Sequence, residues 1–227
     1  IRNYKNEIDP KLTFEDQVIE LARLFLRRIT SMVANWMRVG YCQGNFNSDN
    51  CAAGGYTLDY GPFGFCELFD PRFQPWTGGG GHFAFFNQQV AAEANFQMFW
   101  AALRPLIIDN GEALERLDSI NDDFAKAMNH ELENMWARKL GLKNYDASIV
   151  NDLLQLMSHS KVDYTIFFRK LSNLPDNSAQ LKESFYLPCS EQLDDKWGIW
   201  LDRWREKISS RGDHNEISEE MKGINPK

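Results

Sequence analysis

The residues best suited to chemistry lie in one stretch, from Asn47 to Phe65, which reads NSDNCAAGGYTLDYGPFGF. The stretch holds two acidic residues, Asp49 and Asp59, and Asn50 directly follows the first of them. Mg²⁺ prefers oxygen ligands in near-octahedral geometry and usually takes one or two carboxylates together with substrate phosphates. The amide oxygen of Asn50 and the carboxylate of Asp59 would supply such ligands. The sequence therefore predicts a magnesium site in this stretch.

The segment between the two candidate ligands predicts a short β hairpin. Residues 56–58 are acceptable in a strand, and the glycine pair at 54–55 before them is typical of a turn. A hairpin of this size would bring its two ends together, so that Asn50 and Asp59 would face one ion. Asp, Asn and Gly are also the commonest turn residues for ordinary backbone reasons, so a turn without a ligand is the alternative interpretation.

Two features of the stretch are similar to catalytic elements of protein kinases. The sequence Asp59-Tyr60-Gly61 has the outline of the Asp-Phe-Gly element, in which the Asp binds Mg²⁺. Kinases also place a catalytic Asp five positions before the Asn that binds the metal. That position is Asn45 here, and an amide cannot accept a proton as a general base. The residues therefore argue against hydroxyl phosphorylation by the standard arrangement.

Further segments along the chain extend the pattern. They are, in order, 44–50 (GNFNSDN), 57–65 (TLDYGPFGF), 69–71 (FDP), 86–88 (FNQ), 139–142 (KLGL), 162–165 (VDYT), 167–169 (FFR), 200–202 (WLD), Met221 and 225–227 (NPK). Together they resemble the selenoprotein O family, which is protein-kinase-like, and the resemblance covers essentially the whole chain. It implies a mainly α fold with a small β hairpin, of the kind found in a kinase C-terminal lobe. It also implies protein AMPylation, the transfer of AMP from ATP to Ser, Thr or Tyr hydroxyl groups.

The resemblance assigns a role to each residue of the candidate site. Asp49 would be the catalytic residue that orients or deprotonates the attacking hydroxyl. Asn50 and Asp59 would bind Mg²⁺, with Mn²⁺ as the alternative ion, and Asp59 would also bind ATP. The expected partners are ATP and proteins that carry hydroxyl side chains. The chain departs from the family at Gln43, where members usually carry His, and this bears on local hydrogen bonding rather than on the metal ligands.

Two other functional classes stay open at this point. One is a catalytically inactive pseudokinase that serves as an interaction module, and the loss of Asn50 or Asp59 would have favoured it. Both residues are present. The other is a true protein kinase that uses an unusual base.

The ends of the chain suggest a fragment of a longer protein. The sequence begins with Ile1 and stops at 225–227, where members of the resembled family continue. We therefore expect residues 1–227 to be a kinase-like C-terminal lobe, without the N-terminal nucleotide-binding lobe and without the extreme C-terminal tail. In isolation this fragment is expected to bind ATP weakly and to be inactive.

Composition and charge limit the classes of partner. A chain of 227 residues with 43% hydrophobic residues can bury a substantial core, in one domain. The net charge of −7 argues against a general nucleic-acid binder, and no apolar run is long enough to span a bilayer. The N-terminal residues lack the apolar region of a signal peptide. We expect an intracellular protein, mitochondrial if eukaryotic and cytoplasmic if bacterial, where the last distinction follows from the resemblance.

The elements that must position the stretch are predicted to be helices. Apolar residues at three- and four-residue steps predict a helix over 14–39, with Thr13 and Asp16 as its capping signal and Gly40 as its stop. Similar patterns predict helices over 87–103, 111–140, 149–158, 164–174 and 196–208. The tryptophan stripe of the last helix, at positions 197, 200 and 204, is predicted to pack in the core rather than to bind a partner.

Overall fold

The computed structural model describes Tyr4 and residues 6–58, 61–76, 78 and 80–226. Asp59 and Tyr60 therefore lie outside the described residues. The described chain is mostly helical and has one antiparallel sheet of two strands. The predicted mainly α fold with a small antiparallel β element is confirmed.

The helices and strands follow one another with short connections. They are α1 (Phe14–Val39), β1 (Tyr41–Gln43), β2 (Phe63–Phe65), α2 (Gln88–Leu103), α3 (Gly111–Asp122), α4 (Phe124–Lys139), α5 (Ala147–Ser160), α6 (Tyr164–Leu171), α7 (Glu191–Ser209) and α8 (His214–Ile224). Short 3₁₀ turns lie at Ser48–Asn50, Gly81–Phe83, Phe85–Asn87, Arg104–Ile107 and Ser178–Ser184.

Helix α1 is the central element, and its predicted bounds are confirmed. The Thr13 side chain accepts a hydrogen bond from the backbone N–H of Asp16 at 3.2 Å, which satisfies one of the free amides at the helix start. Gly40 ends the helix in the left-handed conformation, with φ of 77°, which costs glycine little. The apolar stripe of α1 is buried against α2, α3 and α4. The position at which β1 begins is therefore fixed by the end of this helix.

The hairpin predicted within residues 51–58 is wrong, because no strand lies there. The two strands instead flank residues 44–62, with Tyr41 opposite Phe65 and Gln43 opposite Phe63. The Tyr41 ring lies 5.6 Å from both phenylalanine rings between centroids, and such cross-strand aromatic pairs stabilise a short sheet. This pairing brings the two ends of residues 44–62 together, whereas the predicted hairpin was expected to bring Asn50 and Asp59 together.

The helix predicted over 111–140 is two helices, since the chain breaks at Asp123. Both helices pack against α1. Two successive aspartates at the break favour it, because Asp competes with the helical backbone for hydrogen bonds. Helix α8 was not predicted at all. Its signals are the Asp213 cap, which accepts from the N–H of Asn215, and the buried pair Ile217 and Met221.

The tryptophan stripe of α7 is buried, as predicted. Trp197, Trp200 and Trp204 are at most 1% exposed, and each indole N–H donates to a buried oxygen. The acceptors are Ser160 Oγ at 2.8 Å, the Ile149 carbonyl at 2.9 Å and the Leu140 carbonyl at 2.8 Å. None of the described helices combines the length and the apolar character needed to cross a membrane.

Candidate active site

Asn50 ends the 3₁₀ turn Ser48–Asn50 and is held there by its side chain. It is only 6% exposed, and its Nδ2 donates to the carbonyl of Asn45 at 2.9 Å. Its backbone N–H donates to the carbonyl of Asn47 at 3.0 Å. The side-chain bond orients the amide and directs its oxygen away from the Asn45 carbonyl, and the backbone bond fixes the turn that carries it. A ligand oriented in this way by a second hydrogen bond is typical of metal sites.

Asp49 precedes Asn50 in the same turn but is exposed. The structure therefore brings two of the three predicted site residues together, one buried and one on the surface. A carboxylate on the surface can be reached by the hydroxyl of a large substrate such as a folded protein. This arrangement suits the role of a general base, which must come within hydrogen-bond reach of the proton that it takes.

Asn45 supports the turn and is not placed to act as a base. Its carbonyl accepts from Asn50, and its Oδ1 accepts from Asn47 Nδ2 at 2.6 Å. Gly61, the first described residue after Asp59 and Tyr60, lies beside it: a Cβ added to Gly61 would be 3.9 Å from Asn45 Cβ. The chain that leaves the Asp-Tyr-Gly element therefore passes the Asn50 turn.

The predicted ligand Asp59 lies outside the described residues, and its pairing with Asn50 stays a prediction. The described chain on both sides of it is anchored. On one side, Thr57 Oγ1 accepts a hydrogen bond from Trp36 Nε1 at 2.8 Å. On the other side, the carbonyl of Pro62 accepts from the N–H of Gly44 at 2.8 Å.

Two buried amides of α2 bond to the backbone of residues 41–46, which lead into the turn at Ser48–Asn50. Gln88 accepts from the N–H of Gln43 and donates to the Tyr41 carbonyl, each at 2.9 Å. Asn95 donates to the Phe46 carbonyl at 2.9 Å. The sequence analysis did not assign these residues to the site. The available signals were the place of Gln88 in the segment 86–88 and that of Asn95 within an apolar helix.

Arg28 attaches the loop of residues 51–58 to α1. Its Nη2 donates to both carboxylate oxygens of Glu7 at 2.6 Å, and its Nη1 donates to the Gly54 carbonyl at 3.3 Å. The guanidinium lies 4.4 Å from the centre of the Tyr4 ring, and the Tyr4 hydroxyl donates to the Ala53 carbonyl. The chain between Asn50 and Asp59 is thus fixed to the helix rather than paired as a hairpin.

The cysteines near the site are poor nucleophiles at neutral pH. Burial raises the pKa of Cys42 and Cys51 to about 12 and that of Cys66 to about 11. The thiolate is the form that attacks or binds metals, and it is scarce at these pKa values. All four cysteines of the chain are free thiols. Across the described ranges, no three His, Cys, Asp or Glu side chains gather in a group that could hold a metal ion.

The comparison with protein families covers the whole chain. The sequence model of the family described as protein adenylyltransferase SelO matches residues 1–227. The chain belongs to the SelO family. This membership confirms the resemblance drawn from the motifs.

Curated relatives agree with the SelO assignment. A protein nucleotidyltransferase YdiU from Nitrobacter winogradskyi is 34% identical over 228 residues, which cover 96% of this chain and 42% of the relative. The protein of the same name from Xanthomonas axonopodis pv. citri is 37% identical, over 81% of this chain and 36% of the relative. That from Flavobacterium johnsoniae is 30% identical, over 100% of this chain and 45% of the relative. The chain spans less than half the length of these relatives. The names support nucleotidyl transfer as the class of chemistry of the SelO family.

Proposed function

We propose that this chain forms the metal-binding and substrate-facing half of an active site that transfers AMP from ATP to Ser, Thr or Tyr hydroxyls of proteins. The observation that carries the proposal is the turn at residues 48–50. It holds a buried amide, oriented by a hydrogen bond, next to an exposed carboxylate. Family membership supplies the class of chemistry, nucleotidyl transfer to a protein. We also propose that the fold is kinase-like.

The order of elements supports a kinase-like C-terminal lobe. Helix α1 leads into β1, the Asn50 turn follows, and the Asp-Tyr-Gly element comes before β2. Protein kinases place their metal-binding Asn and Asp in the same order. Residues 1–227 would be this lobe, and the groups that grip the phosphates of ATP would come from elsewhere in the full-length protein.

Each site residue has one task in the proposed reaction. Asn50 Oδ1 and the Asp59 carboxylate would hold one Mg²⁺ or Mn²⁺ ion, and Asp59 would also lie close to the nucleotide. Asp49 would orient the substrate hydroxyl and take its proton as the hydroxyl oxygen bonds to the α-phosphorus. The bond between that phosphorus and the bridging oxygen breaks, and pyrophosphate leaves. The ion, when bound, would screen the negative charge that develops on the phosphates.

The expected partners are ATP and proteins with accessible hydroxyl groups. The net charge of −7 argues against a general nucleic-acid binder. The relatives named above are bacterial, and we retain the cytoplasm as the proposed compartment.

Labelled ATP tests the proposed function in the full-length protein that carries this chain. The protein is incubated with Mg²⁺ and ATP labelled at either the α- or the γ-phosphate, beside Asp59→Ala, Asp49→Asn and the control Asp109→Asn, which changes an exposed aspartate outside the site. We expect protein-bound label from the α position only, lost in Asp59→Ala, reduced in Asp49→Asn and kept in the control. Label from the γ position alone would show a protein kinase. No label from either position would favour a pseudokinase interaction module.

A further inference from the structure

A cavity lies beside the turn that carries Asp49. Its volume is about 260 Å³, and its lining joins the turn, at Ser48, to α2, at Val90, Ala94 and Met98. Pockets for small molecules usually measure about 300–1,000 Å³, so this smaller cavity suits one side chain of a larger partner. Among the described residues that line it, none is Asp, Glu, Lys or Arg.

The α2 side of the cavity is an exposed apolar face. Val90, Ala94 and Met98 follow one another at four-residue steps and therefore lie on one side of the helix. Val90 is 58% exposed, Met98 is 65% exposed, and Ala94 is exposed as well. Glu93 is the one charged residue in the sequence of α2, although 25% of the residues of the chain are charged. An outer helix face of this kind is typical of a site where another molecule binds.

The base of the cavity is fixed by buried groups. Phe46 and Phe83 are 1% and 5% exposed, and Asn95 Nδ2 donates to the Phe46 carbonyl at 2.9 Å. All three residues line the cavity. Because this hydrogen bond joins α2 to the chain that enters the turn, the apolar face and the turn keep one relative position.

The cavity lies within reach of a peptide that presents its hydroxyl to Asp49. Ser48 lines the cavity and directly precedes Asp49, and consecutive Cα atoms are about 3.8 Å apart. An extended peptide advances about 3.3–3.6 Å per residue. A substrate with its hydroxyl at Asp49 would therefore place a residue about one to three positions away from that hydroxyl at the cavity.

We propose that this cavity binds an apolar side chain of the protein substrate, such as Leu, Ile, Met or Phe, close in sequence to the hydroxyl that receives AMP. The inference rests on the proposed function, because it needs the substrate hydroxyl at Asp49. The occupant is the substrate because the surface beside a general base must stay open to each new substrate molecule. The lining disfavours Asp, Glu, Lys and Arg, since burial of a charge without a partner is costly.

The test maps which hydroxyls the full-length protein modifies. Proteins of a cell lysate are incubated with the full-length protein, Mg²⁺ and ATP, and the residues that carry AMP are located by peptide mass spectrometry. Residues on both sides of each modified hydroxyl are compared with those beside unmodified hydroxyls of the same proteins. One methylene in an apolar pocket changes kcat/KM by about 10- to 200-fold. We therefore expect apolar residues to be enriched about tenfold at one position near the modified hydroxyl.

Charge variants assign this preference to the cavity. Val90→Glu and Met98→Glu place a carboxylate at the cavity, whereas Ile199→Glu makes the same kind of change at a 62% exposed position of α7. We expect the first two variants to lose the apolar preference and to modify hydroxyls near Lys or Arg instead. Ile199→Glu should keep the wild-type pattern. A change of preference, unlike a loss of activity, does not arise from misfolding.

Three results would overturn the inference. Wild type would show no preference near the modified hydroxyl, or both cavity variants would keep the wild-type preference, or both would lose modification equally at all sites. The last result would indicate that this face packs against another part of the full-length protein. AMP transfer without a preference leaves the proposed function intact, whereas the absence of AMP transfer in wild type contradicts the proposed function and this inference with it.

Discussion

Replacing Gly55 by alanine should destabilise the protein through the loop that connects the two proposed ligands. Gly55 has φ of 66°, in the left-handed region, and it lies directly on α1. An added Cβ would be 2.2 Å from Arg28 Cβ and 3.2 Å from the backbone carbon of Arg28. Neither atom is the end of a flexible side chain, so the loop itself must move away from the helix.

The expected cost follows from two contributions. The left-handed conformation costs a residue with a Cβ roughly 1–2 kcal/mol. Forcing a carbon into a closely packed contact costs about 1–3 kcal/mol more. The free energy of unfolding should therefore fall by about 2–5 kcal/mol, a large part of the total of about 5–15 kcal/mol for a typical domain. The displaced loop would also pull Gly54 from Arg28, since its carbonyl accepts from that side chain.

Equilibrium unfolding in urea, followed by tryptophan fluorescence in the full-length protein, measures this change. Gly198→Ala is the matched control, because Gly198 lies inside α7 and no heavy atom lies within 4 Å of its added Cβ. Alanine is favoured over glycine in a helix by up to about 1 kcal/mol, so this variant should be slightly more stable than wild type. A Gly55→Ala protein that unfolds within about 0.5 kcal/mol of wild type would refute the described contact between the loop and α1.

Two further predictions concern buried titratable groups. Lys139 donates to two buried oxygens, and burial, together with a nearby arginine, holds its pKa well below the ordinary value of 10.5. Between the folded and unfolded pKa values of Lys139, the unfolded state then binds more protons than the folded state. The free energy of unfolding of wild type relative to Lys139→Met should therefore rise with pH up to about 10.5, by roughly 1 kcal/mol per pH unit. Equal slopes of unfolding free energy against pH for both proteins, measured by urea titration, would contradict this. Cys42, Cys51 and Cys66 should hold on the order of 100 to 1,000 times less thiolate at pH 8 than exposed thiols. Iodoacetamide should therefore modify the half-buried Cys189 first, as read by peptide mass spectrometry, and early labelling of Cys42 or Cys66 would contradict their burial.

Local signals in the sequence were sufficient for the central helix. The cap at Thr13, the apolar stripe and the stop at Gly40 all act within a few residues, so the predicted bounds of α1 agree with the structure. The break at Asp123 could not be read in the same way. Apolar residues continue across it at helical spacing because α3 and α4 both pack against α1. Hydrophobic periodicity therefore does not reveal the bend between these two helices.

The hairpin was misplaced for a related reason. Strand propensity in residues 56–58 is local, whereas the contacts that decide their conformation come from Arg28 and Trp36, more than 20 residues earlier in the chain. The pairing of β1 with β2 joins residues that are about 20 positions apart in the sequence. Tertiary contacts therefore overrode a weak local preference.

Motifs in the sequence are enough to propose site residues, but they do not show which distant side chains support them. Asp49 and Asn50 could be found because they belong to a contiguous motif with a recognised chemistry. Gln88 and Asn95 bond to the backbone of Gln43 and Phe46 across 45 and 49 residues of sequence, respectively. A single sequence without its fold cannot show which distant amide reaches which carbonyl.

The central claim is that Asn50 and Asp59 share one ion, and its most direct test is the position of that ion. Crystals of the full-length protein with Mn²⁺ and a non-hydrolysable ATP analogue would reveal it by anomalous scattering. We expect one anomalous peak within coordination distance, about 2.0–2.3 Å, of both Asn50 Oδ1 and an Asp59 carboxylate oxygen. An ion bound to the nucleotide without either side chain, or held by other residues of the chain, would contradict it.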